Sequence, residues 1–270
     1  MLLRNKNAII YAAGGSLGST IAKALASAGA RVFLTGKHLA AVKQLADELI
    51  ALGGNAEAAE VDAMDEKAIH DHLDKVVAQA GTVDISFNLI DLQVIQGMPL
   101  TDMAMADFIR PVTIAMQSHF LTATAAARVM MKQGTGVILS LTATPGAVAY
   151  PGVAGFGPAC SAIECFYKNL AAEAGAYGVR AVNIRSAGSP DSAVFKNAIA
   201  SNPGEMEHVI HQMEADTMLK SLPLMADIAN TAVFLASDMA GKITGVTIDV
   251  TCGTTAGLNY KAIERSGNKI

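Results

Sequence analysis

The sequence predicts a doubly wound α/β fold, a single domain built on one parallel sheet of about seven strands with helices on both faces. Three observations predict it. Short apolar runs alternate with helix-period segments from end to end of the 270 residues. The strand candidates are continuous Val/Ile/Leu runs rather than alternating ones, the mark of strands buried on both faces. A glycine-rich turn joins the first strand candidate to the first helix.

The strands are read in order at Asn7–Tyr11, Arg31–Leu34, Glu57–Val61, Asp84–Asn88, Gly136–Leu141, Arg180–Arg185 and Val246–Val250. Between them, Leu17, Ile21 and Leu25 recur every four residues as one apolar stripe. Leu39, Val42, Leu45, Leu49 and Leu52 repeat at three and four, as do Ile69, Leu73, Val76 and Val77. Pro111 is placed at the opening of a long helix that continues through Met131. Right-handed crossovers then put the ligand crevice at the carboxyl ends of the strands. No repeat, low-complexity tract or linker divides the chain. One stretch leaves the rhythm, Ser189–Pro223, punctuated by Pro190, Pro203 and Pro223. It reads as a lid over the substrate crevice or as a solvated helix pair.

Composition narrows the function classes. Hydrophobic residues make up 51% and charged residues 16%, enough for a sizeable core. A net charge of −4 gives no global attraction to nucleic acid or anionic membrane. No apolar run approaches a bilayer span, and the strand-like start shows no signal-peptide pattern. Three cysteines, Cys160, Cys165 and Cys252, argue against a disulfide framework and for a cytoplasmic location.

The turn reads Tyr11-Ala12-Ala13-Gly14-Gly15-Ser16-Leu17-Gly18. Such a turn presents backbone N–H groups to a pyrophosphate at a helix N-terminus, with Gly14, Ser16, Leu17 and Gly18 as the contacts expected here. The second strand ends Leu34-Thr35-Gly36-Lys37-His38. An NAD site holds the ribose 2′-OH with an acid at this place, whereas Lys37 and His38 follow a glycine here. A lysine attracts a 2′-phosphate, so NADP(H) is the expected cofactor; the other reading of Lys37 is a solvated surface lysine.

These features resemble the short-chain dehydrogenase/reductase family, a Rossmann-type fold, along nearly the whole chain. Its turn, T-G-x-x-x-G-x-G, aligns on Gly18, with Tyr11 for Thr, Ala12 for the first Gly and Ser16 for the second. Asn169-Leu170-Ala171-Ala172-Glu173, Gly178-Val179-Arg180, Phe234-Leu235-Ala236-Ser237-Asp238 and Ile243-Thr244-Gly245 match further family strings. The resemblance implies that Asp62 lies near the adenine and that Asn88 opens the family's N-N-A-G segment, here Asn88-Leu89-Ile90-Asp91. It also implies that Asp91 nears the nicotinamide ribose and Asp191 stands where the family has a Thr. A homo-oligomer, dimer or tetramer, is implied as well.

The same resemblance sets the family's Asn, Ser, Tyr and Lys at Ala115, Ala143, Phe156 and Cys160. None of these carries the acid, base or fixed charge of that set. Positioned acid–base groups are worth roughly 10²–10⁴ in rate, so ordinary ketone chemistry by the family route is expected to be impaired. The substrate pocket is expected around Ala143, Tyr150, Phe156 and Cys160. Cys160 is open to two readings, a thiol acid or a small buried hydrophobe. Tyr150 is a proton donor at the loop mouth or an ordinary loop tyrosine. Thr142 and Thr144 flank Ala143 and point to the other face if strand geometry persists. His119, one turn beyond Ala115, reads as a packed residue. His208, His211 and Glu214 read as solvated surface, and no metal site is expected. Two functions follow: an atypical NADP(H)-dependent oxidoreductase for a small, largely apolar substrate, or a catalytically inactive relative that serves as a nucleotide- or ligand-binding or assembly partner.

Overall fold

The computed structural model describes residues 1–257. Seven strands form one parallel sheet in the order β3-β2-β1-β4-β5-β6-β7. They are β1 (Asn7–Tyr11), β2 (Arg31–Gly36), β3 (Asn55–Glu60), β4 (Ile85–Asn88), β5 (Gly136–Ala143), β6 (Val179–Ser186) and β7 (Thr247–Val250). Each expected strand is present, with no end shifted by more than two residues. The order reverses between β1 and β4, and there the crevice opens at the strands' carboxyl ends.

One face of the sheet packs α1 (Ser16–Ser27), α2 (Leu39–Ala51) and α8 (Met225–Ala236). Ala8, Ile10, Val32, Leu34, Leu139 and Ile184 point into that core. The other face packs α3 (Glu66–Ala80), α4 (Met105–Gln133) and α5 (Phe156–Ala174) over Ile9, Tyr11, Phe33 and Ile138. Adjacent residues of the central strands thus serve opposite cores, which is why Ala8-Ile9-Ile10 and Val32-Phe33-Leu34 read as apolar runs.

Pro111 does not open α4. The helix starts at Met105, where the Ala104 carbonyl accepts the Asp107 and Phe108 amides, and Pro111 sits buried inside it. Proline there removes one helical hydrogen bond. Packing compensates: Gly155, just before α5, lies so close that a Cβ would stand 1.9 Å from the Phe108 carbonyl oxygen and 2.9 Å from Pro111 Cγ. This contact fixes where α5 begins, and with it the place of Phe156.

The Ser189–Pro223 stretch contains two helices, α6 (Ala193–Ser201) and α7 (Pro203–Ala215). Ser192 caps α6 by accepting the Phe195 amide.

Candidate functional site

The turn after β1 keeps a tight course despite its lost glycines. Ala12 takes a left-handed φ of 58°, a conformation that usually calls for glycine. Gly18 packs against it: a Cβ there would meet the Ala12 carbonyl oxygen at 2.6 Å. α1 starts at Ser16 with no side-chain cap and no acid in its first turn. Its first amides therefore remain available to an anion. Gly14 and Gly15 are exposed, and Ser16 and Leu17 are half-buried beside them. Ser16 Oγ accepts the Ala193 amide at 3.2 Å, so the turn is tied to the first residue of α6. Its O–H is left to donate elsewhere.

At the end of β2, Lys37 and His38 are exposed. Lys37 Nζ lies 3.0 Å from Asp62 Oδ2. The Met64 amide first, and then Lys37, hold the Asp62 carboxyl below the usual carboxylate range. Glu60, paired with Gly36 across the sheet, accepts the Leu39 amide. Sequence reading missed this acid because only strand register sets it beside Gly36.

Asn88 ends β4 and is buried. Its amide nitrogen donates to Thr122 Oγ1 at 3.0 Å, and its oxygen accepts the Ile90 amide at 3.0 Å. Asp91 turns to solvent and accepts the Gln93 amide. Asp191 accepts the Met225 amide, so its carboxylate serves the start of α8.

Beyond β5, a cavity of about 210 Å³ is lined by Thr144, Tyr150, Ala187, Met213, Asp216, Leu222 and Thr254. Strand geometry does not persist past Ala143. A 3₁₀ turn over Thr144–Gly146 swings Thr144 into this cavity, while Thr142 faces α5. Among the described residues, neither the Thr144 nor the Tyr150 hydroxyl takes a hydrogen-bond partner. Met213, from α7, and Leu222, just beyond it, wall the cavity from the Ser189–Pro223 side.

Residues 12–255 match the family model described as "Enoyl-(Acyl carrier protein) reductase". The 7alpha-hydroxysteroid dehydrogenase of Escherichia coli (strain K12) is 31% identical over 259 residues, 95% of this chain and 97% of that protein. The chain belongs to the short-chain dehydrogenase/reductase family. A 7 alpha-hydroxysteroid dehydrogenase solved with NADH and 7-oxo glycochenodeoxycholic acid superposes with a TM-score of 0.80 at 30% identity, covering 93% of this chain and 94% of that one. An NAD⁺-bound xylitol dehydrogenase reaches a TM-score of 0.86 at 22% identity over 93% of this chain and 99% of that one, a likeness of fold.

In this short-chain dehydrogenase/reductase, Ala143 and Phe156 are half-buried, and Phe156 packs against the α4–α5 core. Neither lines the 210 Å³ cavity, nor does Cys160. Of the four pocket residues expected from sequence, Tyr150 alone does. Cys160 is wholly buried, and burial pushes its thiol up to about 11. Burial and the raised thiol favour the packed reading over the acid.

Beside Cys160 the buried space is polar. Arg185 of β6 donates from Nε to Glu164 Oε1 at 3.0 Å and from Nη2 to Oε2 at 2.6 Å. Thr142 Oγ1 donates to Glu164 at 2.9 Å, and Asn183 donates to Thr142 at 2.7 Å. Asn183 also accepts from Ser140 at 2.8 Å. Sequence reading missed this network, because its members are scattered along β5, α5 and β6.

A nicotinamide dinucleotide fits the turn. The Gly18 cradle would be filled by a Cβ, and the α1 amides lack a side-chain cap. No described helix is long and apolar enough to cross a membrane. His208 and His211 are exposed on α7, with His211 3.6 Å from Glu214.

Proposed function

We propose that this chain is an atypical NADP(H)-dependent oxidoreductase acting on a small, largely apolar substrate. The cavity under α7 carries this reading: mostly apolar, with two unpaired hydroxyls, at the carboxyl ends of β5 and β6. The 12–18 turn and the α1 amides would hold the pyrophosphate, and Lys37 the 2′-phosphate. Asp62 would border the adenine, and Asn88 would brace the loop beneath the second ribose. Exposure of Lys37 and the absence of an acid at Gly36 support the phosphate; Glu60 and Asp62 oppose it in part.

When bound, the nicotinamide gives or takes a hydride. The chain's own contribution is orientation and exclusion of water, which can supply much of a rate when reacting atoms are held close. Thr144 Oγ1 and Tyr150 Oη, in a lining that also includes Asp216, are the hydroxyls placed to hold a substrate oxygen or nitrogen, and Tyr150 or water supplies the proton. With alanine and phenylalanine at 143 and 156, little help is available at a forming alkoxide. Reduction of an activated C=C or C=N bond suits the site better than ketone reduction. The chain is proposed to be cytoplasmic, and a homo-oligomer on the family's pattern.

The test begins with thermal melting in titrations of NADPH and NADH, since a ligand of the folded state raises its stability by RT ln(1 + [L]/Kd). NADPH consumption is then followed with conjugated enones, imines and simple ketones. Stabilisation by NADPH and turnover of an enone or imine, lost roughly 10²-fold in Thr144→Val with Tyr150→Phe, is the expected result. No stabilisation by either nucleotide removes the oxidoreductase reading.

A further inference from the structure

A second, smaller cavity, of about 80 Å³, opens at the top of β4 and β5. Leu17 of α1, Asn88, Leu89, Ile90 and Leu92 after β4, and Leu141 of β5 line it, with His119 and Ile163 from α4 and α5. It therefore lies between the turn that would hold the pyrophosphate and the loop after β4, on the dinucleotide side of the crevice. The substrate cavity shares none of these residues.

Its polar content is small and specific. Both ends of the Asn88 amide are engaged by Thr122 and Ile90. His119 is 2% exposed, and its Nδ1 lies 3.2 Å from Tyr167 Oη. The Tyr167 hydroxyl donates to the Leu139 carbonyl at 3.3 Å. When the hydroxyl does so its oxygen is left to accept, and the tautomer that matches carries the imidazole proton on Nδ1. Nε2 is the bare acceptor. Among the described residues Nε2 has no hydrogen-bond partner, it is not one of the sealed, unpaired atoms, and its residue lines this cavity. The ring is further fixed by edge contact with Tyr167, centroids 5.6 Å apart. A neutral acceptor in an apolar niche calls for a hydroxyl donor rather than an anion.

We propose that His119 Nε2 accepts a hydrogen bond from a ribose hydroxyl on the nicotinamide side of the bound dinucleotide. This assigns to α4 a cofactor-binding residue, in a chain whose α5 has cysteine where the resemblance sets a ribose-binding lysine. The inference rests on the dinucleotide reading above. Burial also pushes the imidazole down to about 3, so it is an acceptor throughout the neutral range.

The test compares wild type with His119→Phe, which keeps a ring against Tyr167 but has no acceptor, and with His119→Gln, which restores one. Two ligands are titrated by calorimetry or melting: NADPH, and 2′,5′-ADP, which lacks the second ribose. If NADH is the dinucleotide that stabilises wild type, NADH and ADP replace them. His119→Phe is expected to weaken the dinucleotide roughly tenfold, a single hydrogen bond's worth, with the adenosine fragment unchanged and partial recovery in His119→Gln. Equal affinity in His119→Phe, or equal weakening of both ligands, overturns the proposal. Should His119→Phe fail to fold, ¹⁵N-imidazole spectra of wild type decide: the Nε2 resonance moves with the dinucleotide and not with its fragment, and no movement overturns it. A wild type that binds neither ligand instead refutes the dinucleotide reading itself.

Discussion

Arg185 holds both carboxylate oxygens of Glu164 across the β6–α5 contact, at 3.0 and 2.6 Å, with the two side chains 11% and 8% exposed. Asp249 takes a third guanidinium bond at 2.8 Å from the edge of the sheet. The pair lies next to wholly buried Cys160, so a fixed charge has been placed near a position that carries none. Removing one partner leaves the other charge buried and uncompensated. Arg185→Met is expected to cost about 3 kcal/mol, while Arg185→Met with Glu164→Leu recovers most of it. Urea unfolding of the two variants checks this; equal losses in both would show that an uncompensated Glu164 is not what destabilises Arg185→Met.

Ala12 stores strain in the turn after β1. At φ 58° its Cβ crowds the backbone, at a cost of about 1–2 kcal/mol relative to glycine. Ala12→Gly should raise the melting temperature and leave nucleotide affinity equal or better. Gly18→Ala should do the reverse, because its Cβ would meet the Ala12 carbonyl. A destabilised Ala12→Gly chain would mean that the alanine's contacts outweigh its strain.

On the proposed reading, cofactor choice turns on Lys37. It is exposed and already paired with Asp62 at 3.0 Å, so a phosphate gains its attraction only by sharing it. Lys37→Ala should weaken NADPH by about tenfold, the range of a charge-assisted hydrogen bond, and leave NADH unchanged. The complementary Asp62→Asn should strengthen NADPH. Titrations of both nucleotides into the variants read the result, and loss of both nucleotides together in Lys37→Ala would contradict a phosphate role.

Two buried histidines make stability depend on pH. Burial pushes His72 down to about 4 and His119 down to about 3. Above an unfolded value of about 6.5 both forms are neutral and nothing is lost. As pH falls below that value the unfolded chain binds protons that the native chain refuses, so stability drops. The slope approaches about 1.4 kcal/mol per pH unit for each histidine. Melting curves at pH 7, 6 and 5 should therefore fall in steps, and His72→Phe should flatten them in part. A pH-independent melting temperature across that range would refute the assignment.

The sequence by itself determined the strands and the sheet, because a strand buried on both faces favours apolar residues at successive positions: Ile9 and Ile10 are both apolar and face opposite cores. It also determined the turn, since strand, glycines and helix stand next to one another in the chain. The family strings extended that reading to Ile243-Thr244-Gly245. The tertiary structure decided matters that depend on residues distant in sequence. Pro111 reads locally as a helix start, but contact with Gly155 keeps it inside α4. Thr144 reads as facing away from the pocket until the 3₁₀ turn redirects it. Cys160 has no local signal separating acid from filler; its burial favours filler. His119 reads as a packed histidine, and only Tyr167, brought over by α5, fixes its ring beside a cavity. Periodicity records how much a residue is buried. It does not record which partner meets it there, and at a site of chemistry the partner sets the role.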